Sequence, residues 1–266
     1  MTTVFTLPIS TTGSITCTTP SPLVYLLTFT SPPDNRLTTS FCQTLLLALD
    51  ILEFSHPPGV IVTTSSIVKF YSNGLDLEHA TSTEGFFGDS LYAVFKRFLT
   101  YPMPTIALLN GHAFAGGFML AMYHDYRVLN PSKGYLCVNE LEFGVPLTAP
   151  MSSIFREKLS PQVYRKMVLE AHRWGGKEAL ENGIVDGLGG LEEVTKFIGE
   201  KKLTGKAKSG VYGLLKKEMY RESMGYLRDG KDEKLGGGNE EEEERRRGGE
   251  ERVREWKKSN KGGAKL

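Results

Sequence analysis

Apolar and polar positions follow two different periods along this chain. Near its start, Thr3 to Leu7, Ser14 to Thr18 and Leu23 to Thr30 read as strands, separated by Pro8, Pro20 and Pro22. Behind the possible caps Thr38, Thr39 and Ser40, the residues Phe41, Leu45, Ala48, Leu49 and Leu52 recur at helical spacing. The run Gly59 to Thr63 is strand-like. Gly85 to Thr100 then predicts an amphipathic helix with Phe86, Leu91, Val94, Phe95 and Phe98 on its core face. Pro102 and Pro104 precede a short apolar strand, Thr105 to Leu109, and Phe118 to Tyr123 is rich in helix formers. Further on, Pro161 to Glu170 and Lys177 to Asn182 look helical, with a short strand at Gly183 to Asp186. Leu191 to Arg228 continues as helices whose expected contacts are Val194, Phe197, Ile198, Leu214, Leu215 and Met219. Strands alternating with helices imply an α/β architecture.

The pattern stops at Gly236. From there to Leu266 the chain holds eight Glu, nine Lys or Arg and seven Gly but only four apolar residues. Such a segment buries too little surface to offset the entropy of ordering, which predicts a mobile spacer. Charge pairing of Glu240 to Glu244 with Arg245 to Arg247 is the alternative, a solvated helix. The chain as a whole has 266 residues and a net charge of +1, so there is no global pull toward nucleic acid or an acidic membrane. No run approaches the ~20 apolar residues of a membrane span. Residues 1 to 30 contain no Lys or Arg and lack the basic start of a secretory signal or presequence. Cys17, Cys42 and Cys137 are widely spaced and fit neither a metal site nor a disulfide framework, so buried thiols and no metal are expected.

Chemistry enters at two junctions. The strand Thr105 to Leu109 runs into Asn110-Gly111 and then Ala115-Gly116-Gly117, where a helix opens. Adjacent glycines there let a ligand approach the backbone, and the first N–H groups of the helix are unpaired and favour negative charge. Taken alone, such a turn also arises for packing reasons. A second junction, Ser72-Asn73-Gly74-Leu75-Asp76, follows the strand at Gly59 to Thr63. Two junctions, each offering a free backbone N–H, suit a two-donor oxyanion hole. Some twenty residues after the second glycine pair comes a carboxylate, Glu140, at the end of another apolar run. Strand alternation would place Glu142 on the same face.

FYSNGLDLE (70–78), NGHAFAGG (110–117) and NELEFG (139–144), in that order and spacing, resemble the crotonase (enoyl-CoA hydratase/isomerase) superfamily, closest to its Δ3,Δ2-enoyl-CoA isomerase branch. The resemblance covers roughly residues 20 to 190. It implies a spiral of ββα turns with a C-terminal helical region that packs in trimers, although no internal repeat is visible. It divides the chain into a catalytic core at residues 1–190, an oligomerising helical region at 191–235 and the charged tail at 236–266. It also implies that the oxyanion N–H groups come from Leu75 and Gly116. The CoA nucleotide is expected near the first loop, at Lys69, Ser72, Asn73, Gly74 and Asp76, held largely through backbone. The substrate is an acyl-CoA, and no separate cofactor is expected. In the hydratase pattern one Glu stands three residues after the oxyanion glycine and a second about twenty further on. Here those positions are Met119 and Glu140, so one acid/base is replaced by a thioether. Asn139 before Glu140 also follows the isomerase branch, where hydratases usually carry Pro.

A single surviving carboxylate suits isomerisation of 3-enoyl-CoA to trans-2-enoyl-CoA, as in β-oxidation of unsaturated fatty acids. The alternatives are a hydratase or specialised crotonase-fold enzyme of secondary metabolism, and a catalytically silent binding protein. Ala264-Lys265-Leu266 is close to the S-K-L address, which points to a peroxisomal import receptor as partner and to the peroxisome as location. A homotrimer or hexamer is expected from the resemblance. After Gly144 the stretch Val-Pro-Leu-Thr-Ala-Pro-Met lacks the glycine-rich run of hydratases, and Leu147, Pro150, Met151 and Phe155 are candidates for the acyl pocket. His112, His124-Asp125 and Trp174-Gly175-Gly176-Lys177 look chemical but have no nucleophile or phosphate-loop spacing, and are expected to be structural.

Overall fold

The computed structural model describes residues 1–228 and 238–260, the side chains of residues 238–242 excepted. Ten strands and twelve α-helices are found among the described residues. The strands are β1 (Thr2–Pro8), β2 (Ser14–Ser21), β3 (Val24–Thr30), β4 (Val60–Ser65), β5 (Phe70–Ser72), β6 (Thr105–Leu109), β7 (His112–Phe114), β8 (Tyr126–Leu129), β9 (Leu136–Cys137) and β10 (Gly187–Leu188). The first helices are α1 (Thr39–Ser55), α2 (Leu77–Ser82), α3 (Ala93–Thr100), α4 (Gly116–Met122), α5 (Glu140–Phe143) and α6 (Ala149–Lys158). They are followed by α7 (Pro161–Leu169), α8 (Gly176–Glu181), α9 (Leu191–Glu200), α10 (Tyr212–Met219), α11 (Arg221–Tyr226) and α12 (Gly238–Asn260).

Seven strands form one sheet in the order β1-β2-β3-β4-β6-β8-β10, and three form a second, β5-β7-β9. The first sheet opens as an antiparallel meander, β1 to β3, and continues parallel from β3 to β10. Both faces of its centre are covered, and every residue of β4 and β6 is buried. That is why these strands read as continuous apolar runs. Along β4 and β6, Ile61, Ala107 and Leu109 face the main core, while Val60, Val62, Ile106 and Leu108 face a smaller cluster with Val194, Ile198 and Leu203.

The ββα spiral that the resemblance implied is visible as three successive turns. Each places one strand in the large sheet, one in the small sheet, and then starts a helix: β4-β5-α2, β6-β7-α4 and β8-β9-α5. All three strands of the small sheet are parallel, so their carboxyl ends lie side by side, and all three helices start at that edge.

Several elements differ from the sequence reading. The helix over 85–100 is broken: Phe86–Tyr92 is a π-type turn and only Ala93–Thr100 is α-helical, although every expected core residue on it is buried. The strand placed at 183–186 falls instead at Gly187–Leu188, because Gly183, at φ 66°, closes helix α8. Leu214, Leu215 and Met219, expected as contacts, are exposed. Helix α10 docks by its other face, where a Cβ on Gly213 would lie 2.5 Å from the Thr100 carbonyl oxygen and Lys216 pairs with Asp125 at 2.8 Å.

The charged tail also departs from the mobile spacer. Over its described residues it is a helix, α12, laid against α1. Val253 is buried, Trp256 meets Phe5 edge to face, and Arg252 pairs with Asp50 at 2.6 Å. The few apolar residues suffice because they fall with Gly249 on one stripe, at i, i+4 and i+7. The tripeptide Ala264-Lys265-Leu266 lies outside the described residues.

Candidate active site

The first junction is held by side chains that the motif itself supplies. The Ser72 hydroxyl donates to the Asn35 carbonyl at 2.7 Å and accepts from Gly74 N–H at 3.2 Å. Ser72 is fully buried, so its side chain shapes the loop. Asn73 Nδ2 donates to Asp34 at 2.7 Å, and Asp76 caps α2 by accepting from His79 N–H at 3.0 Å. Lys69 is exposed, with its ammonium 5.3 Å from the Phe70 ring centre. Gly74 has φ 87°, a conformation L side chains rarely adopt. Leu37 bridges to Leu75 in parallel fashion, its N–H bonded to the Gly74 carbonyl. In that pattern the Leu75 N–H points away from Leu37, and it has no acceptor among the described residues.

The second junction turns on Ala115, whose φ of 47° and ψ of −125° are strained for a residue with a Cβ. Its N–H donates to the Cys137 carbonyl at 2.9 Å, and its own carbonyl accepts from Phe118 and Met119 at 3.0 Å. The turn leaves Gly116 as the first residue of α4, with its N–H unpaired among the described residues. A Cβ on Gly116 would lie 3.5 Å from Leu75 N, and one on Gly74 would lie 3.2 Å from Gly116 N. The two free N–H groups thus belong to backbone segments in van der Waals contact. A Cβ on Gly117 would fall 2.4 Å from the Ser72 carbonyl oxygen, so only glycine lets α4 sit this close to β5.

The third strand end carries the carboxylate. Register pairs Ala113 with Leu136 and Phe114 with Cys137, and Glu140 opens α5 three residues later. Its Oε2 is buried with no hydrogen-bond partner among the described residues, and the same is true of Asn139 Oδ1. Removal from water raises the Glu140 pKa from 4.5 to about 7. Glu142 is different. Positions 140 and 142 lie on a helix and not on a strand, so the expected shared face is absent; Glu142 is exposed and 3.5 Å from Arg173. Met119 is buried in the main core cluster.

Leu75, Gly116 and Glu140 thus each follow the carboxyl end of one of the adjacent parallel strands β5, β7 and β9. Met151 and Phe155 are core residues, Phe155 packed edge to face on Phe118, while Leu147 is only partly buried. His112 accepts from Tyr135 N–H at 3.0 Å and stacks on the Tyr135 and Phe114 rings. His124 is fully buried between Thr63 and the Leu120 carbonyl, and burial lowers its pKa to about 3. All three cysteines are buried and free. No group of three or more His, Cys, Asp or Glu is placed to hold a metal ion among the described residues. Sequence reasoning missed the buried Asp125–Lys216 pair and the pairing of buried Arg127 with the more exposed Asp186, whose partners are 91 and 59 positions apart and carry no local signal.

A sequence profile described as enoyl-CoA hydratase/isomerase matches residues 21–222. Enoyl-CoA delta isomerase 2, peroxisomal, of Arabidopsis thaliana is 32% identical over 219 residues, spanning 77% of this chain and 91% of that protein. Enoyl-CoA delta isomerase 3 of the same plant is 31% identical over 212 residues, spanning 75% and 89%. Among solved structures, an enoyl-CoA hydratase from Mycobacterium marinum superposes with a TM-score of 0.70 at 22% identity, covering 80% of this chain and 94% of that one, a likeness of fold.

Proposed function

The chain belongs to the enoyl-CoA hydratase/isomerase family, and on that premise we propose that it moves the double bond of a 3-enoyl-CoA into conjugation, giving trans-2-enoyl-CoA. The observation that carries this reading is a half-buried carboxyl, Glu140, with one oxygen unpartnered among the described residues, following the third of three adjacent parallel strands whose other two lead to backbone N–H groups unpaired among those residues. The thioester oxygen of the substrate accepts from Leu75 N–H and Gly116 N–H. Glu140 takes a proton from C2, and the electron pair delocalises onto that oxygen, where the two donors stabilise the charge. The protonated carboxyl then returns the proton at C4, the double bond settles between C2 and C3, and Glu140 is regenerated. A pKa near 7 suits a group that must hold and release a proton in one turnover.

Met119 supports isomerisation over hydration. A second carboxyl would be needed to activate water and deliver a proton, and a buried thioether does neither. The substrate class and the peroxisomal setting follow the names of the Arabidopsis relatives and the terminal Ala264-Lys265-Leu266, which together support import into peroxisomes. A trimeric or hexameric assembly of this chain belongs to the same proposal. Incubation of purified protein with 3-enoyl-CoA, and separately with trans-2-enoyl-CoA, tests it: conversion of the first without hydration of the second is expected. Hydration of the 2-enoyl thioester would establish the hydratase reading, and no turnover of either would leave a binding protein.

A further inference from the structure

Helix α12 lies beyond the matched residues 21–222, and its docking creates a cavity with no part in the chemistry above. The helix comes close to α1 at Gly249, where a Cβ would lie 2.7 Å from the Phe54 ring. This sets Arg245 and Arg252 over the buried carboxylates Glu53 and Asp50. Arg97, from α3, reaches the same two carboxylates from the opposite side. Between α1, α3, α10 and α12 remains a space of 280 Å³. That is just under the ~300–1,000 Å³ of ordinary small-molecule sites.

Its lining is strongly cationic. Lys96, Arg97, Lys217, Arg245 and Arg252 face it, against the carboxylates of Asp50 and Asp89. The acids next to it are already used, since Glu53 is shared by Arg97, Arg245 and Arg246. Two sets of donors are left over. The Arg97 side chain is 3% exposed, yet its Nε and Nη1 have no partner among the described residues. Lys217, half-buried on the α10 wall, makes no hydrogen bond or ion pair among the described residues. Buried donors without acceptors are costly, and unused guanidinium N–H groups and an ammonium on the walls of one cavity suit an anion rich in oxygen acceptors.

We propose that this cavity is a binding site for a small phosphorylated anion, a phosphomonoester or diphosphate, closed on one side by α12. It is separate from the thioester site, which is built on the carboxyl ends of β5, β7 and β9 and includes none of the cavity's residues.

The test is calorimetric titration of the full chain with inorganic pyrophosphate at low ionic strength, repeated on Lys217→Glu. Lys217 has no partner among the described residues, so the variant should fold with an unchanged melting temperature. The expected result is saturable binding of one anion per chain, weakened roughly tenfold or more in Lys217→Glu, and undisturbed by saturating CoA. Absence of binding at millimolar pyrophosphate, equal affinity in the variant, or displacement by CoA would each overturn the proposal. The last would put the anion in the thioester site.

Discussion

The two ends of helix α4 treat buried charge in opposite ways. At its C-terminal end every group is matched. Lys158 donates to the Met122 and His124 carbonyls at 2.6 Å, Asp125 is 2.8 Å from Lys216 and accepts from Thr105 N–H, and Arg127 is 3.1 Å from Asp186. At its N-terminal end the Gly116 N–H has no acceptor among the described residues, and the neighbouring Glu140 has no cation. One chain thus holds Asp125 as half of an ion pair and Glu140 as an acid whose pKa burial raises to about 7. Pairing fixes a carboxylate in its charged form and locks packing; isolation leaves the proton mobile. The end of the helix that is left unmatched is the end at which the proposed chemistry falls.

Removing the isolated group should have the largest effect on turnover. Glu140→Gln keeps shape and loses the proton carrier, so kcat should fall by ~10²–10⁴, with unfolding by denaturant showing no loss of stability. Glu142→Gln, two positions away at the surface, is the matching control and should leave the rate unchanged.

Gly116→Ala attacks the other half of the unmatched end. The new Cβ would lie 2.9 Å from Leu75 Cδ2 and 3.5 Å from Leu75 N, so the Leu75 side chain must shift and a methyl group enters the space beside the two N–H groups. A loss of ~10²–10³ in kcat is expected, the range for removing one oxyanion donor, with KM changed far less.

Breaking the matched end should do the reverse. Lys216→Met leaves Asp125 buried beside no ammonium, which costs ~3–5 kcal/mol of stability in a denaturant titration, while the rate per folded molecule stays near that of the unaltered protein. A large fall in rate at full occupancy of the fold would mean that the two ends are not separable.

The smallest effect is in pH. Because Glu140 must be ionised to accept the C2 proton, kcat/KM should rise through a pH of about 7 and level off above it. Stability moves the other way. The folded chain keeps the Glu140 proton between 4.5 and about 7, where the unfolded chain has released it. The folded state therefore binds more protons in that window, and stability declines as pH rises through it. Glu140→Gln should flatten that part of the stability profile.

Much of the candidate site was readable because it is local. Leu75 and Gly116 each sit at a strand-to-helix junction marked by glycine, and Glu140 follows in a fixed spacing. The matched end was not readable, since Lys216 meets Asp125 only after α10 has folded back across the core. The register of Glu140 against Glu142 was also hidden. A two-residue strand, Leu136–Cys137, is too short to show a period, and the change to helix at position 140 separates residues that alternation would have kept together. In the tail, composition pointed to a spacer, while the stripe Gly249, Val253 and Trp256 is a matter of spacing among only three residues.

The small sheet has one more consequence. The offset between the acid and the nitrogens is counted in rungs of a backbone ladder, Ala113 with Leu136 and Phe114 with Cys137, each step being ~3.3 Å. Swapping side chains along these strands leaves the count intact. Inserting or deleting one residue between Cys137 and Glu140 does not, so this short connection should tolerate changes in spelling far better than changes in length.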